Sequence, residues 1–201
     1  MKRLIDLLVA ILSLIIFSPL LLICYLAVRL EDGGPAIFRQ ERIGRGGKPF
    51  NIYKFRSMTI DKERDENALY GHERSADMTR TGRFLRDHHL DELPQLWNVV
   101  KGDMAFIGPR PERPEIMEQY LQEMPEFAFR MKVKAGLAGY AQVYGKYNTT
   151  PYDKLKLDLT YIENYSIWLD VKLMLLTVKI LFTPDSTEGV EENQTTAQKK
   201  S

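Results

Sequence analysis

The sequence predicts an α-rich α/β protein whose N-terminal segment enters a membrane. Three observations carry this. Residues 7–28 form an apolar run without a single charge. Helix-period apolar repeats recur further on, as in Leu93, Leu96, Trp97 and Val100 or Leu155, Leu159 and Ile162. Between them lie short segments of strand length, at 36–40, 50–58 and 104–107.

With 201 residues there is room for one domain with a real core and an appendage. Lys and Arg total 28 against 27 Asp and Glu, so net charge gives no sign of nucleic acid. A lone cysteine, Cys24, excludes a disulfide framework or a cysteine-based zinc site within one chain. The histidines, His72, His88 and His89, lack His-x-x-x-His spacing, and no P-loop or dinucleotide fingerprint occurs.

As a straight helix the run at 7–28 would cover about 33 Å, enough to span a bilayer. No small-x-small site follows it, which argues against a cleaved signal, and bulky Leu22 and Ile23 argue against lipidation of Cys24. Ser18-Pro19 sits near its middle, and a proline there removes a backbone hydrogen bond and kinks a helix. Lys2 and Arg3 precede the run, and Arg29, Arg39, Arg42, Arg45 and Lys48 follow it. Positive residues mark the cytoplasmic side, so a helix that bends at Pro19 and leaves by the face it entered satisfies both signals. On residues alone, re-entrant and kinked spanning helices both stand.

Ala36–Gln40 reads as a strand, Gly44–Gly47 as a tight turn and Phe50–Met58 as a second strand. Lys54 and Arg56 share a face of that strand. A solvated edge accounts for them; a pair of cations lining an anion site is the alternative. Residues 61–80 read as a charged surface loop or helix. Arg83 and Arg86 then fall on one helix face.

Asp91 and Glu92 open the central stretch. Pro94 fits the first turn of a helix, and Lys101-Gly102 is a helix stop. The dyad therefore lies at a helix N-terminus, where negative charge is favoured. The strand Met104–Ile107 leads into Gly108-Pro109-Arg110-Pro111. Prolines on both sides of Arg110 fix a guanidinium whose fork suits phosphate oxygens. Capping by the dyad and a simple ion pair would explain each feature alone; together they point to a phosphate site.

Pro114–Arg130 reads as one or two helices. The glycine-punctuated stretch 132–146 lets backbone approach a ligand, with Lys134, Gln142 and Lys146 as its polar candidates. A helix runs from Pro151 to about Asn164, with Asp158 on its polar side. Ser166–Phe182 is too charged to span a membrane comfortably. It reads as an interfacial helix anchored by Trp168 or as an ordinary core helix. Residues 184–201 read as a disordered tail.

Taken in order, several of these stretches resemble the bacterial sugar transferase family, the small monotopic phosphoglycosyl transferases. The marks are the Ser18-Pro19-broken apolar helix, Ile52-Tyr-Lys-Phe-Arg-Ser-Met58, Leu90-Asp-Glu-Leu-Pro-Gln-Leu-Trp-Asn-Val-Val-Lys-Gly-Asp103, Gly108-Pro-Arg-Pro111, Ala138-Gly-Tyr-Ala-Gln-Val143 and Leu157-Asp-Leu-Thr-Tyr-Ile162. The resemblance covers residues 1 to about 182. It implies a monotopic membrane protein: a re-entrant helix–break–helix over 1–30, a compact cytoplasmic domain with interfacial helices over 31–183, and the tail.

The resemblance also implies a reaction at the cytoplasmic face of the bacterial inner membrane. Sugar-1-phosphate passes from a nucleoside diphosphate sugar, usually of uridine, to polyprenyl phosphate, the first membrane step of glycan or exopolysaccharide assembly. Asp91 is implied as nucleophile, forming a covalent phosphosugar–enzyme, with Mg²⁺ held in part by Asp91 and Glu92. Glu92 is alternatively assigned to acceptor activation. Lys54, Arg56, Arg86 and Arg110 are implied as phosphate-binding cations, Gln142 as a substrate contact, and Asp158 as a contact to metal or nucleotide. Membrane lipid is an expected partner and a homo-oligomer is left open. The sequence departs from the family pattern at His88-His89, Lys134-Ala135, Tyr144 and Lys146. A membrane-anchored phosphate-binding module and a diphosphate hydrolase are the rival readings.

Overall fold

The computed structural model describes residues 1–59, 78–145 and 149–181. Most of the expected loop or helix at 61–80, together with Lys146 and the tail, lies outside the described residues; Arg80, at its end, already begins a helix.

Two helices open the chain, α1 (Lys2–Ile16) and α2 (Ser18–Asp32). They meet at Phe17 with a bend of 63°, and neither is long and apolar enough to cross a membrane alone. Pro19 occupies the first turn of α2, where its missing N–H costs nothing. Ser18 Oγ donates to the Ile15 carbonyl at 2.7 Å, serving an acceptor that α1 leaves open at its end. Gly33, at φ 73°, closes α2 in the left-handed region.

An antiparallel hairpin follows. β1 (Ile37–Ile43) pairs with β2 (Pro49–Phe55), Ile37 opposite Phe55 and Ile43 opposite Pro49. The second strand ends at Phe55, short of the expected Met58. α3 (Arg80–Asp87) is capped by Thr79, which accepts from the Gly82 N–H at 2.9 Å. A 3₁₀ turn (Leu90–Gln95) runs directly into α4 (Leu96–Lys101), which Gly102 terminates at φ 94°. Then come β3 (Met104–Ile107), α5 (Pro114–Glu123) and a second 3₁₀ segment (Pro125–Lys132). β4 (Ala135–Ala138) pairs in parallel with β3, and α6 (Tyr140–Tyr144), α7 (Pro151–Glu163) and α8 (Ile167–Leu181) complete the described chain. The protein is thus a helix-rich α/β fold with two small sheets.

β4 falls within the stretch whose glycines read as ligand approach. Gly136 instead permits a close backbone crossing, since a Cβ there would run into the Gly108 backbone.

The helix pair shares the core of the domain. Ala10 packs with Ile52, Val99, Met104 and Ala135, while Cys24 and Val28 pack with Ala36, Phe55 and Leu85. Its other faces are apolar and open: Leu4, Leu8, Leu12 and Ile15 on α1, and Leu22, Ile23 and Leu30 on α2. On α8, Trp168 is 83% exposed and Leu175 is exposed too. Exposed apolar surface on this scale marks a partner or a membrane.

Polar groups fasten the first residues. Arg3 donates to the Val99 and Val100 carbonyls at the C-terminal end of α4, the latter at 2.7 Å. Lys2 meets Asp170 at 2.5 Å, and the Tyr161 hydroxyl donates to the same carboxylate at 2.7 Å.

Candidate active site

His89 enters the 3₁₀ turn with φ 54°, the left-handed region. A non-glycine residue held there is strained, and such strain collects at functional sites. The turn that follows carries Asp91 and Glu92 in its first residues. β2 packs across it and brings Lys54 within 2.6 Å of Glu92 Oε1. Arg110, between its prolines, reaches the same carboxylate from the other side: Nη2 to Oε1 at 2.5 Å and Nη1 to Oε2 at 3.3 Å.

The two acids of the dyad differ sharply. Burial alone would raise Glu92, but Arg110 and Lys54 outweigh it and hold the carboxyl well below the usual range. Asp91 is 9% exposed, and among the described residues no hydrogen bond or ion pair ends on its carboxylate. Burial first, then the charge of Glu92, pushes its affinity for a proton above the ordinary aspartate value; Lys54 and Arg86 act against the shift. Asp91 is thus a desolvated carboxylate beside two cations that are already bound to its neighbour. Such a group is a candidate nucleophile or metal ligand.

The sequence brings four of its expected residues together here: Asp91, Glu92, Lys54 and Arg110. Arg86 acts on Asp91 through its charge from the last turn of α3.

Two expected residues stand elsewhere. Arg56 lies beyond the end of β2, is 1% exposed, and grips both oxygens of Asp32 while Nε donates to the Pro35 carbonyl at 2.9 Å. It clamps the end of α2 to the hairpin and is not in the anion site. Asp158 is buried, not on a polar side: Arg130 Nε and Nη2 donate to its Oδ2 at 2.9 and 2.6 Å. Gln142 donates to the Leu137 carbonyl at 3.2 Å, and its buried Oε1 has no partner among the described residues. The expected apolar face of the central helix also needs correction. Trp97 is 52% exposed, and Val99 and Asn98 are fully buried instead.

Three residues of the surroundings escaped sequence reasoning. Arg130, 3% exposed, donates to the Arg110 carbonyl at 3.0 Å and is neutralised by Asp158 and Glu112. It fixes the backbone from which Arg110 projects. Arg42 donates to the Pro111 carbonyl at 3.1 Å, and burial followed by the charge of Arg110 lowers its pKa to about 10. Asn98 accepts from the Tyr53 N–H at 3.1 Å and donates to the Asn51 carbonyl at 2.7 Å, seating β2 so that Lys54 faces the dyad. A buried arginine gives no periodic signal; a polar residue inside an apolar helix pattern is the signal that could have found Asn98.

Among the described residues no three or more His, Cys, Asp or Glu side chains converge as a metal cage. Glu92 is occupied by cations, which leaves Asp91 as the open carboxylate. Mg²⁺ commonly binds through one or two carboxylates plus substrate phosphates. The residues therefore fit a cation shared with a phosphate ligand, rather than an all-protein site.

Comparison with known proteins shows the family. The bacterial sugar transferase family matches residues 1–184. The chain is 40% identical over 185 residues to a UDP-N-acetylgalactosamine-undecaprenyl-phosphate N-acetylgalactosaminephosphotransferase of Aeromonas hydrophila, covering 90% of this chain and 44% of that protein. It is 43% identical over 182 residues to a UDP-glucose:undecaprenyl-phosphate glucose-1-phosphate transferase of Klebsiella pneumoniae, covering 88% of this chain and 39% of that one. A protein of the same name from Caulobacter vibrioides is 42% identical over 192 residues, covering 92% of this chain and 71% of the relative. The chain thus spans less than half the length of the first two relatives and most of the third. With its helix pair, dyad and Pro-Arg-Pro loop all inside the matched region, the chain belongs to the bacterial sugar transferase family.

Proposed function

We propose that the protein is a phosphoglycosyl transferase that moves a sugar-1-phosphate from a uridine diphosphate sugar to undecaprenyl phosphate at the cytoplasmic face of the membrane. The relatives named above act on such donors and on this acceptor. The observation that carries the reading is the split dyad: Glu92 holds Lys54 and Arg110 in place, while the adjacent Asp91 carboxylate is buried and open.

In the first step a carboxylate oxygen of Asp91 attacks the β-phosphorus of the donor. The bond from that phosphorus to the bridging oxygen breaks, and uridine monophosphate leaves with the electron pair. The enzyme then carries the phosphosugar as an acyl phosphate. In the second step an oxygen of undecaprenyl phosphate attacks the same phosphorus, releases Asp91 as a carboxylate and yields the undecaprenyl diphosphate sugar. Two displacements replace one meeting of two polyanions. Lys54, Arg110 and, from α3, Arg86 screen the charge that gathers at phosphorus. Asp91 would hold Mg²⁺ together with the diphosphate. When bound, the ion supplies neutralisation of phosphate charge. The acceptor phosphate is already ionised near neutral pH, so Glu92 serves as the anchor of the two cations and not as a base.

The bent helix pair, its outward apolar faces and the exposed Trp168 support a re-entrant, monotopic seat, with α8 in the interface. The acceptor's head then reaches the dyad while its tail stays in lipid.

Mass spectrometry of the enzyme incubated with donor alone tests the mechanism. An adduct of one phosphosugar on Asp91, with one equivalent of nucleoside monophosphate released, is expected. An adduct on another residue, or no reaction until both substrates are present, overturns it.

A further inference from the structure

A cavity of about 290 Å³ opens where the start of α1 meets β3, the approach to β4 and the end of α7. None of Lys54, Asp91, Glu92 or Arg110 lines it. Lys2, Arg3, Arg45, Lys132 and Lys134 do, against the single carboxylate of Asp6. The cations arrive from separate stretches of chain, so their meeting is a product of the fold and not of a local charge run.

Most of this positive charge is uncompensated. Lys2 is answered by Asp170. Arg3 spends its hydrogen bonds on the neutral Val99 and Val100 carbonyls. Among the described residues neither Arg45 nor Lys134 has an ion-pair partner. Arg3 and Lys134 also crowd each other: from the point where a side chain on Gly102 would begin, the Arg3 guanidinium lies 3.0 Å away and the Lys134 ammonium 3.5 Å. Burial and then the charge of Arg3, with Arg45 adding to it, shift Lys134 below the ordinary lysine value, against the opposing pull of Asp6 and Asp103. Like charges held this close in a half-buried cleft repel, and an anion between them reverses the sign of the interaction.

The position of the cavity selects the anion. Tyr165 lines it and is 45% exposed, and Trp168 follows three residues later. Leu4, Ile5 and Leu8 lead away from Lys2 and Arg3 along the exposed face of α1. Charge on one side and an open apolar helix on the other is the seam at which a lipid has its phosphate.

We propose that this cavity is a second anion site, separate from the catalytic dyad, which takes the phosphate of an anionic membrane phospholipid between Arg45, Lys134 and Arg3. The proposal rests on the membrane seat inferred above. An acyl chain lies against α1, and the bound headgroup ties the re-entrant helix to the strand-bearing part of the domain. A lipid rather than a soluble phosphate is the occupant, because the seam supplies both halves of the contact.

The test uses the full chain in non-ionic detergent. Native mass spectrometry counts retained phosphatidylglycerol against phosphatidylcholine, and thermal unfolding is followed with each. The wild type is expected to retain one phosphatidylglycerol at least tenfold better than phosphatidylcholine. Arg45→Gln/Lys134→Gln is expected to lose that preference, as is Arg45→Gln alone in part, a change on an exposed turn that leaves the fold intact. Asp91→Asn and Lys48→Gln are expected to keep it. Equal retention by wild type and the Arg45 and Lys134 variants overturns the proposal. Equal stabilisation by inorganic phosphate, with no preference between the lipids, overturns the lipid as occupant. Failure of the membrane seat reads out separately, as labelling of the two ends of the helix pair from opposite sides of a vesicle.

Discussion

Arg110 and Glu92 form a two-oxygen ion pair across 18 residues of sequence, and Lys54 joins it from a third segment. The consequence falls on Asp91, which keeps its carboxylate open because its neighbour has taken both cations. Asp91→Asn is expected to reduce turnover by at least a thousandfold while leaving the unfolding temperature within a few degrees. A continuous assay of nucleoside monophosphate release measures it. Glu92→Gln is expected to lower activity and also stability, by about 1–3 kcal/mol, because the two cations lose a charged acceptor. An Asp91→Asn enzyme with near wild-type rates contradicts the proposed nucleophile.

Asp158 pairs with Arg130. Both side chains are nearly sealed from solvent, at 1% and 2% exposure. Asp158→Asn strips a buried arginine of one of its two acids, a change that costs about 3–5 kcal/mol in comparable buried pairs. Chemical denaturation is expected to show that loss, with KM for the donor unchanged in the folded fraction. A raised KM at unchanged stability would place Asp158 at the ligand instead.

Glu112 gives the fold an acid-sensitive contact. Burial pushes its carboxyl up, but Lys154 and Arg130 more than offset this and hold it below the ordinary glutamate value. A depressed carboxylate stabilises the fold above its unfolded pKa of about 4.3, and the contribution disappears as pH falls through the lower folded value. Glu112→Gln is therefore expected to destabilise at pH 7 and to approach the wild type below pH 4. Urea midpoints across that range check it; a gap that widens in acid contradicts the sign.

The bend between α1 and α2 makes a topological prediction. With Cys24 replaced, a cysteine ahead of Met1 and another at Lys48 are expected to react with an impermeant maleimide from the same side of a vesicle. Ser18→Ala/Pro19→Ala is expected to straighten the break and shift part of the population to opposite-side labelling. Opposite-side labelling of the unaltered pair contradicts a re-entrant helix.

Much of the site was legible in the sequence because its parts announce themselves locally. Adjacent acids before a proline, and an arginine between prolines, constrain their own backbone. Partners supplied from afar were not legible. Strand alternation puts Lys54 and Arg56 on one side, but β2 ends at Phe55, and Arg56 turns to Asp32. Asp158 reads as a polar helix position until Arg130 is brought over it. Trp97 was misplaced because the chain changes from 3₁₀ to α geometry at Leu96, and a stripe begun at three residues per turn loses phase at 3.6. The longer helices follow their periodicity, with boundaries shifted by a few residues, but the short helix Tyr140–Tyr144 lies in a stretch that reads only as glycine-punctuated.

The contact between Lys2 and Asp170 joins positions 168 residues apart. During synthesis Lys2 must wait for a further 168 residues before its charge is answered. On the proposed membrane seat the bent helix pair would meet lipid before this contact can form. Lys2→Gln would leave Asp170 without this partner and loosen the closure, whereas Lys2→Arg would keep the charge.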